Sequence, residues 1–141
     1  MFMNYYVQLY NLKPGDELVV PKSGFDIIQH HALYIGFDHN GTGLMIHNDI
    51  NRGVSLISVD DFFAVVLKVN KIIPFQGTNA ERKTLVRRSL TRIGRPYDLI
   101  NYNCEHFITD IKSGKASSRQ VENAFVGLLV AVFVGAIISR G

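Results

Sequence analysis

The chain has 141 residues, 47% hydrophobic and 19% charged, the profile of one folded domain rather than a disordered segment. A single cysteine, Cys104, excludes an intrachain disulfide and a four-cysteine zinc site, and with them the disulfide-stapled secreted class. Fifteen Lys+Arg against twelve Asp+Glu leave a formal charge of +3, compatible with anionic lipid or nucleic acid and diagnostic of neither.

The N-terminal Met1-Phe-Met-Asn-Tyr-Tyr6 has no basic region followed by an apolar run, so no signal peptide is expected. Lys13-Pro-Gly-Asp16 reads as a turn, Glu17 to Val20 as a strand and Pro21 to Gly24 as a second turn. Ile27 to Gly36 is rich in β-branched and aromatic residues and predicts a strand. Asp38-His-Asn-Gly41 has hairpin-turn chemistry, and Leu44 to His47 is the returning strand. Gly53 to Val59 and Ala64 to Ile73 supply two more, with Val65, Val66, Leu67, Val69, Ile72 and Ile73 as expected core.

The period then changes. Thr78 and Glu81 have capping-box spacing, Leu85, Val86, Leu90 and Ile93 follow at helical spacing, and Gly94 with Pro96 ends the helix. A second helix is expected from near Asn103 to Gly114. Strands first and helices later predict an α+β domain.

From Ala124 to Ile138 every residue is apolar or Gly. A membrane span needs about 20 such residues, and about 10–14 is typical of a buried or interfacial helix. A helix apolar all round must be buried in something, and little domain remains to bury it. The expected organisation is a folded domain over 1–120 and a hydrophobic segment over 121–141 as a membrane anchor, with a core helix as the alternative.

Cys104 lies at the expected start of a helix, where free amides and the helix dipole lower a thiol pKa; the plain alternative is a small buried hydrophobe. A nucleophilic cysteine also needs a base brought near in space. His106 is two residues away and points to another helix face, and His39 lies in a polar turn. His30 and His31 must face opposite sides of the sheet: His30 with Ala32 and Tyr34, His31 with Leu33 and Ile35. His47, on the returning strand, can meet His30 on one face, with the Cys104 helix expected across it. Each histidine alone is as compatible with a structural role as with a catalytic one.

Gln29-His-His-Ala-Leu-Tyr-Ile-Gly36, then Ile46-His47, then Asn103-Cys-Glu-His-Phe107 resembles the lecithin:retinol acyltransferase family. That family includes the H-Ras-like suppressor phospholipase/acyltransferases and the H-box/NC proteins of some small RNA viruses. Lys13 to Asp16, Gly94 to Tyr97, Gly114 and Ser118-Arg-Gln120 are similar to family surroundings, so the resemblance covers about residues 12–121. It implies a permuted papain-like fold, with an antiparallel sheet packed on helices and the cysteine at a helix N-terminus. By position, Cys104 matches the nucleophile, His30 the general base and His47 the residue that orients it. The implied function is a thiol-dependent phospholipid acyl hydrolase or acyltransferase, without metal or cofactor. Its implied partners are phospholipid, a membrane surface and an acyl acceptor (water, amine or lysolipid), but no nucleic acid. The implied setting is a membrane, with the catalytic domain in a reducing, cytoplasmic compartment.

Three departures stand out: His31 where the family has Trp, Ile28 where a Tyr is common, and the longer loop over Asp38 to Gly43. His31 is also an alternative base. Competing readings are a non-catalytic membrane-tethered interaction module of the same fold, and a papain-like peptidase or amidase. Zinc binding by Cys104 and histidines lacks familiar ligand spacing. The cations Arg82, Lys83, Arg87, Arg88 and Arg92 read as a solvated helix face or one meeting anionic lipid.

Overall fold

The computed structural model describes residues 3–22 and 29–113. Five strands form one antiparallel sheet: β1 (Glu17–Pro21), β2 (Gln29–Phe37), β3 (Gly43–Asp49), β4 (Gly53–Ser58) and β5 (Lys71–Ile73). Their order is β4-β3-β2-β1-β5, so the first four make the expected meander and β5 closes the far side against β1. The helices are α1 (Tyr5–Leu9), α2 (Val59–Val65), α3 (Asn79–Leu90) and α4 (Cys104–Ser113). The domain is α+β.

Local chemistry explains most boundaries. The Asp38 carboxylate accepts from the Asn40 and Thr42 amides, and Gly41 takes φ +81°, which closes the β2–β3 hairpin. Thr78 and Glu81 form the full capping box that starts α3. Asn4 caps α1, a helix of one and a half turns that is too short to show a period in the sequence.

Strand alternation gives the sheet two cores. Leu18, Val20, Ala32, Tyr34 and Met45 pack against α1 and α2 through Val7, Phe62 and Phe63. Leu33, Ile46 and Val54 pack on the other side against Leu85, Tyr102, Phe107, Ile108 and Ile111. A bulge between Tyr34 and Gly36 shifts the β2–β3 register.

Two expectations are corrected. Ala64 and Val65 do not begin a strand; they end α2, which Ser58 starts by accepting from the Asp61 amide. Consequently Val65 (80% exposed) and Leu67 (100%) are not core, whereas Val66, Val69 and Ile72 pack against it. The apolar run misled because a short apolar stretch at a helix end has no period that separates it from a strand, and its hydrophobicity does not show that Ala64, Val65 and Leu67 face outward. On α3, Leu85 is buried but Leu90 and Ile93 are largely exposed.

The expected hydrophobic segment 121–141 lies outside the described residues, as do Ile28, Gly114, Ser118 and Gln120. Among the described residues no helix is long and apolar enough to cross a membrane.

Candidate active site

The site is built at the start of β2. Cys104 is the first residue of α4, and Asn103 caps that helix. The Asn103 side-chain oxygen accepts from the Glu105 and His106 amides at 3.0 and 3.1 Å, and His106 Nδ1 accepts from the Asn103 amide at 3.2 Å. His106 is therefore part of the cap, turned to a different face from Cys104.

A buried network holds the segment just before the cysteine. Asn48 on β3 donates to the Tyr102 carbonyl at 2.6 Å, and the Tyr102 hydroxyl donates to Asp110 Oδ2 at 2.5 Å. Arg92 forks onto the same carboxylate at 2.8 and 3.2 Å, and the Arg95 guanidinium lies 3.3 Å above the Tyr102 ring. The Arg92 fork holds the Asp110 carboxyl below its ordinary range, against burial and with help from Tyr102. Asn48 and Asp110 escaped the sequence reading. Nothing but their burial marks them, and burial is not legible in a polar residue.

The thiol is 3% exposed. Its Sγ lies 3.5 Å from the Gln29 carbonyl oxygen, and the His31 backbone N–H also points at the sulfur. These groups flank His30 along the strand, so Cys104 is seated against β2 on either side of His30. Burial pushes the thiol pKa up, and the His31 amide, the Lys22 charge and the Glu105 amide oppose that only in part. The helix terminus was expected to lower it; desolvation wins.

His30 and His47 do meet. His30 Nε2 lies 2.9 Å from His47 Nδ1, with the rings at 72°. Strand pairing of Ala32 with His47 puts both imidazoles on the α2 face of the sheet, His47 against the Phe62 ring. Burial pulls His30 down to about 3, aided by His47 and Lys22. Burial also lowers His47, with Asp49 offsetting part of the effect. Among the described residues, His30 Nδ1 is buried without a hydrogen-bond partner.

The body of α4 does not lie across the histidines, as expected, but on the opposite face with Leu33 and Ile46. Its first residue alone reaches the strand beside them. Among the described residues no hydrogen bond joins Sγ to His30; the thiol is turned toward Gln29.

His31 faces away, as alternation required. Its Nδ1 lies 2.7 Å from Glu17 Oε1, and the other Glu17 oxygen accepts from Lys112. Burial would raise the Glu17 carboxyl, but His31 and Lys112 together hold it below its ordinary value. The side chain at the family's Trp position is thus tied into a β1–β2–α4 clamp on the face away from His30. His39 is exposed on the β2–β3 turn. No group of three or more His, Cys, Asp and Glu that could hold a metal occurs among the described residues.

The chain is 25% identical over 145 aligned positions to the protein phospholipase A and acyltransferase 4 of Homo sapiens, covering 92% of this chain and 87% of that one. The family model for lecithin retinol acyltransferase matches residues 10–117, which span the sheet, the histidine pair and the cysteine helix. The chain belongs to the lecithin retinol acyltransferase family.

Proposed function

We propose that this protein is a phospholipid acyl hydrolase and acyltransferase that works at a membrane through a thioester on Cys104. The observation that carries the reading is the His30–His47 bond, which spends Nε2 and leaves a buried Nδ1 without a partner among the described residues, on the strand where the thiol is seated. A buried imidazole nitrogen without a donor is costly unless a donor arrives. A thiol turned from Gln29 to that nitrogen supplies one.

The tautomers then follow. For Nδ1 to accept the thiol proton, Nε2 must carry hydrogen and donate to His47 Nδ1, so His47 must be neutral. Burial of His47 favours that state. With the thiol pushed up and the imidazole pulled down, the resting pair is thiol and neutral imidazole. The proton moves as the sulfur attacks the ester carbonyl.

His30, now an imidazolium, gives the proton to the departing lysophospholipid oxygen and leaves an acyl thioester. Water or an amine, deprotonated by His30, then takes the acyl group and restores the thiol. Asn103 consumes the amides of Glu105 and His106 but not that of Cys104, which faces the developing oxyanion together with the helix terminus. A permuted papain-like arrangement and a membrane-anchoring segment at 121–141 belong to the same proposal.

Phospholipid vesicles of stated composition test it. Fatty acid release is expected from the wild-type chain and loss of release from Cys104→Ala and His30→Gln. Release that survives Cys104→Ala would overturn the proposal.

A further inference from the structure

The described residues form three cavities of note, and two of them, of about 490 and 520 Å³, lie along α3 away from the histidines. The third, about 280 Å³, opens directly on His30 and His47. Its far wall is apolar: Ile57, Phe62, Val65 and Val66, on β4 and α2, with Phe62 buried and Val65 standing at the exposed mouth.

Lys22 lines the same cavity as His30 and His47. Its ammonium donates to the Tyr97 hydroxyl at 3.2 Å and lies 4.8 Å above that ring, which leaves two of its three hydrogens free of that bond. Asp49 also lines the cavity, but one of its oxygens is held by the Asn51 and Arg52 amides.

We infer that this cavity seats the substrate, its acyl chain along Ile57, Phe62, Val65 and Val66 and its anionic phosphate at the Lys22 ammonium. An apolar wall, a cation and the His30–His47 pair lining one cavity match an anionic amphiphilic ester and suit neither a peptide nor a free phosphate. The inference deepens the proposed function by assigning the orientation and the headgroup contact of its substrate.

The chain has no tryptophan, so Val65→Trp provides a single indole reporter at the mouth of the trough. The full chain with that substitution is titrated with monomeric octyl phosphate, with octanol and with sodium phosphate. Octyl phosphate is expected to give a saturable blue shift and sodium phosphate none. Lys22→Gln in the same background should weaken octyl phosphate about tenfold, the worth of one charge-assisted hydrogen bond, and leave octanol unaffected. Ile57→Phe, which fills the trough, should weaken both.

A flat response to octyl phosphate, or a response to sodium phosphate alone, overturns the inference. So does unchanged affinity in Lys22→Gln. Binding needs no turnover, so a chain that binds octyl phosphate but releases no fatty acid sinks the proposed reaction and leaves the seat standing.

Discussion

His47 is the sharpest place to perturb the site without touching Cys104 or the proposed base, His30. It is 9% exposed, packs on the Phe62 ring and presents Nδ1 2.9 Å from His30 Nε2. His47→Phe keeps an aromatic ring in that slot and removes the acceptor. The His30 N–H is then buried and unpaired, at a cost of about 1–3 kcal/mol, toward the upper end once the ring becomes cationic. At about 1.4 kcal/mol per decade, kcat/KM on phospholipid vesicles should fall roughly 5- to 140-fold. His47→Gln restores an acceptor oxygen and should keep the enzyme within about tenfold of wild type. Fatty acid release measures the rates, and thermal unfolding of both variants separates chemistry from folding. Equal activity in the two variants, or a His47→Phe enzyme within threefold of wild type, would refute the role of the bond.

Because the thiol is pushed up by burial, alkylation of Cys104 by iodoacetamide should still be accelerating with pH above the ordinary thiol range near 8.5. A plateau at neutral pH would mean a resting thiolate instead. His30 has its folded pKa depressed from 6.5 to about 3, so its contribution to stability is whole above pH 6.5 and is lost as pH falls toward 3. At pH 4.5 that loss is at most about 2–3 kcal/mol, and urea unfolding should show it in wild type but not in His30→Gln. Gly53 turns the β3–β4 hairpin at φ +71°, and a Cβ there would come within 2.3 Å of the Arg95 carbonyl oxygen. Gly53→Ala should therefore unfold at clearly lower urea, by about 2 kcal/mol or more; a midpoint within error of wild type would contradict that packing. Asp110→Asn weakens the Arg92 fork under Tyr102 and should lower kcat more than it raises KM, read from the same vesicle assay.

Much of this was legible in the residues because alternation is a strict rule. His30 and His47 share a face, and His31 shares the other with Leu33, because the strand period is two. The capping box at Thr78 and the hairpin chemistry at Asp38 are equally local and came through unchanged. What failed depended on which element covers which face. The sheet buries both sides, so the sequence pattern could not say that α2 would cover the histidines and α4 the opposite side. The thiol pKa failed for the same reason: a helix terminus is a sequence feature, whereas the desolvation that outweighs it is a property of the packed domain. The clamp of Glu17 on His31 and Lys112 joins residues 95 positions apart and left no mark in spacing.

The central claim is that Cys104 carries the acyl group. Purified protein is incubated with mixed phospholipid vesicles, quenched in acid and weighed intact, beside Cys104→Ala and His30→Gln, with released fatty acid measured in the same samples. The account predicts a fatty-acyl mass increment, or released fatty acid where deacylation is fast, in wild type alone. An increment that persists in Cys104→Ala, or wild-type protein bound to the vesicles with neither adduct nor product, would contradict it.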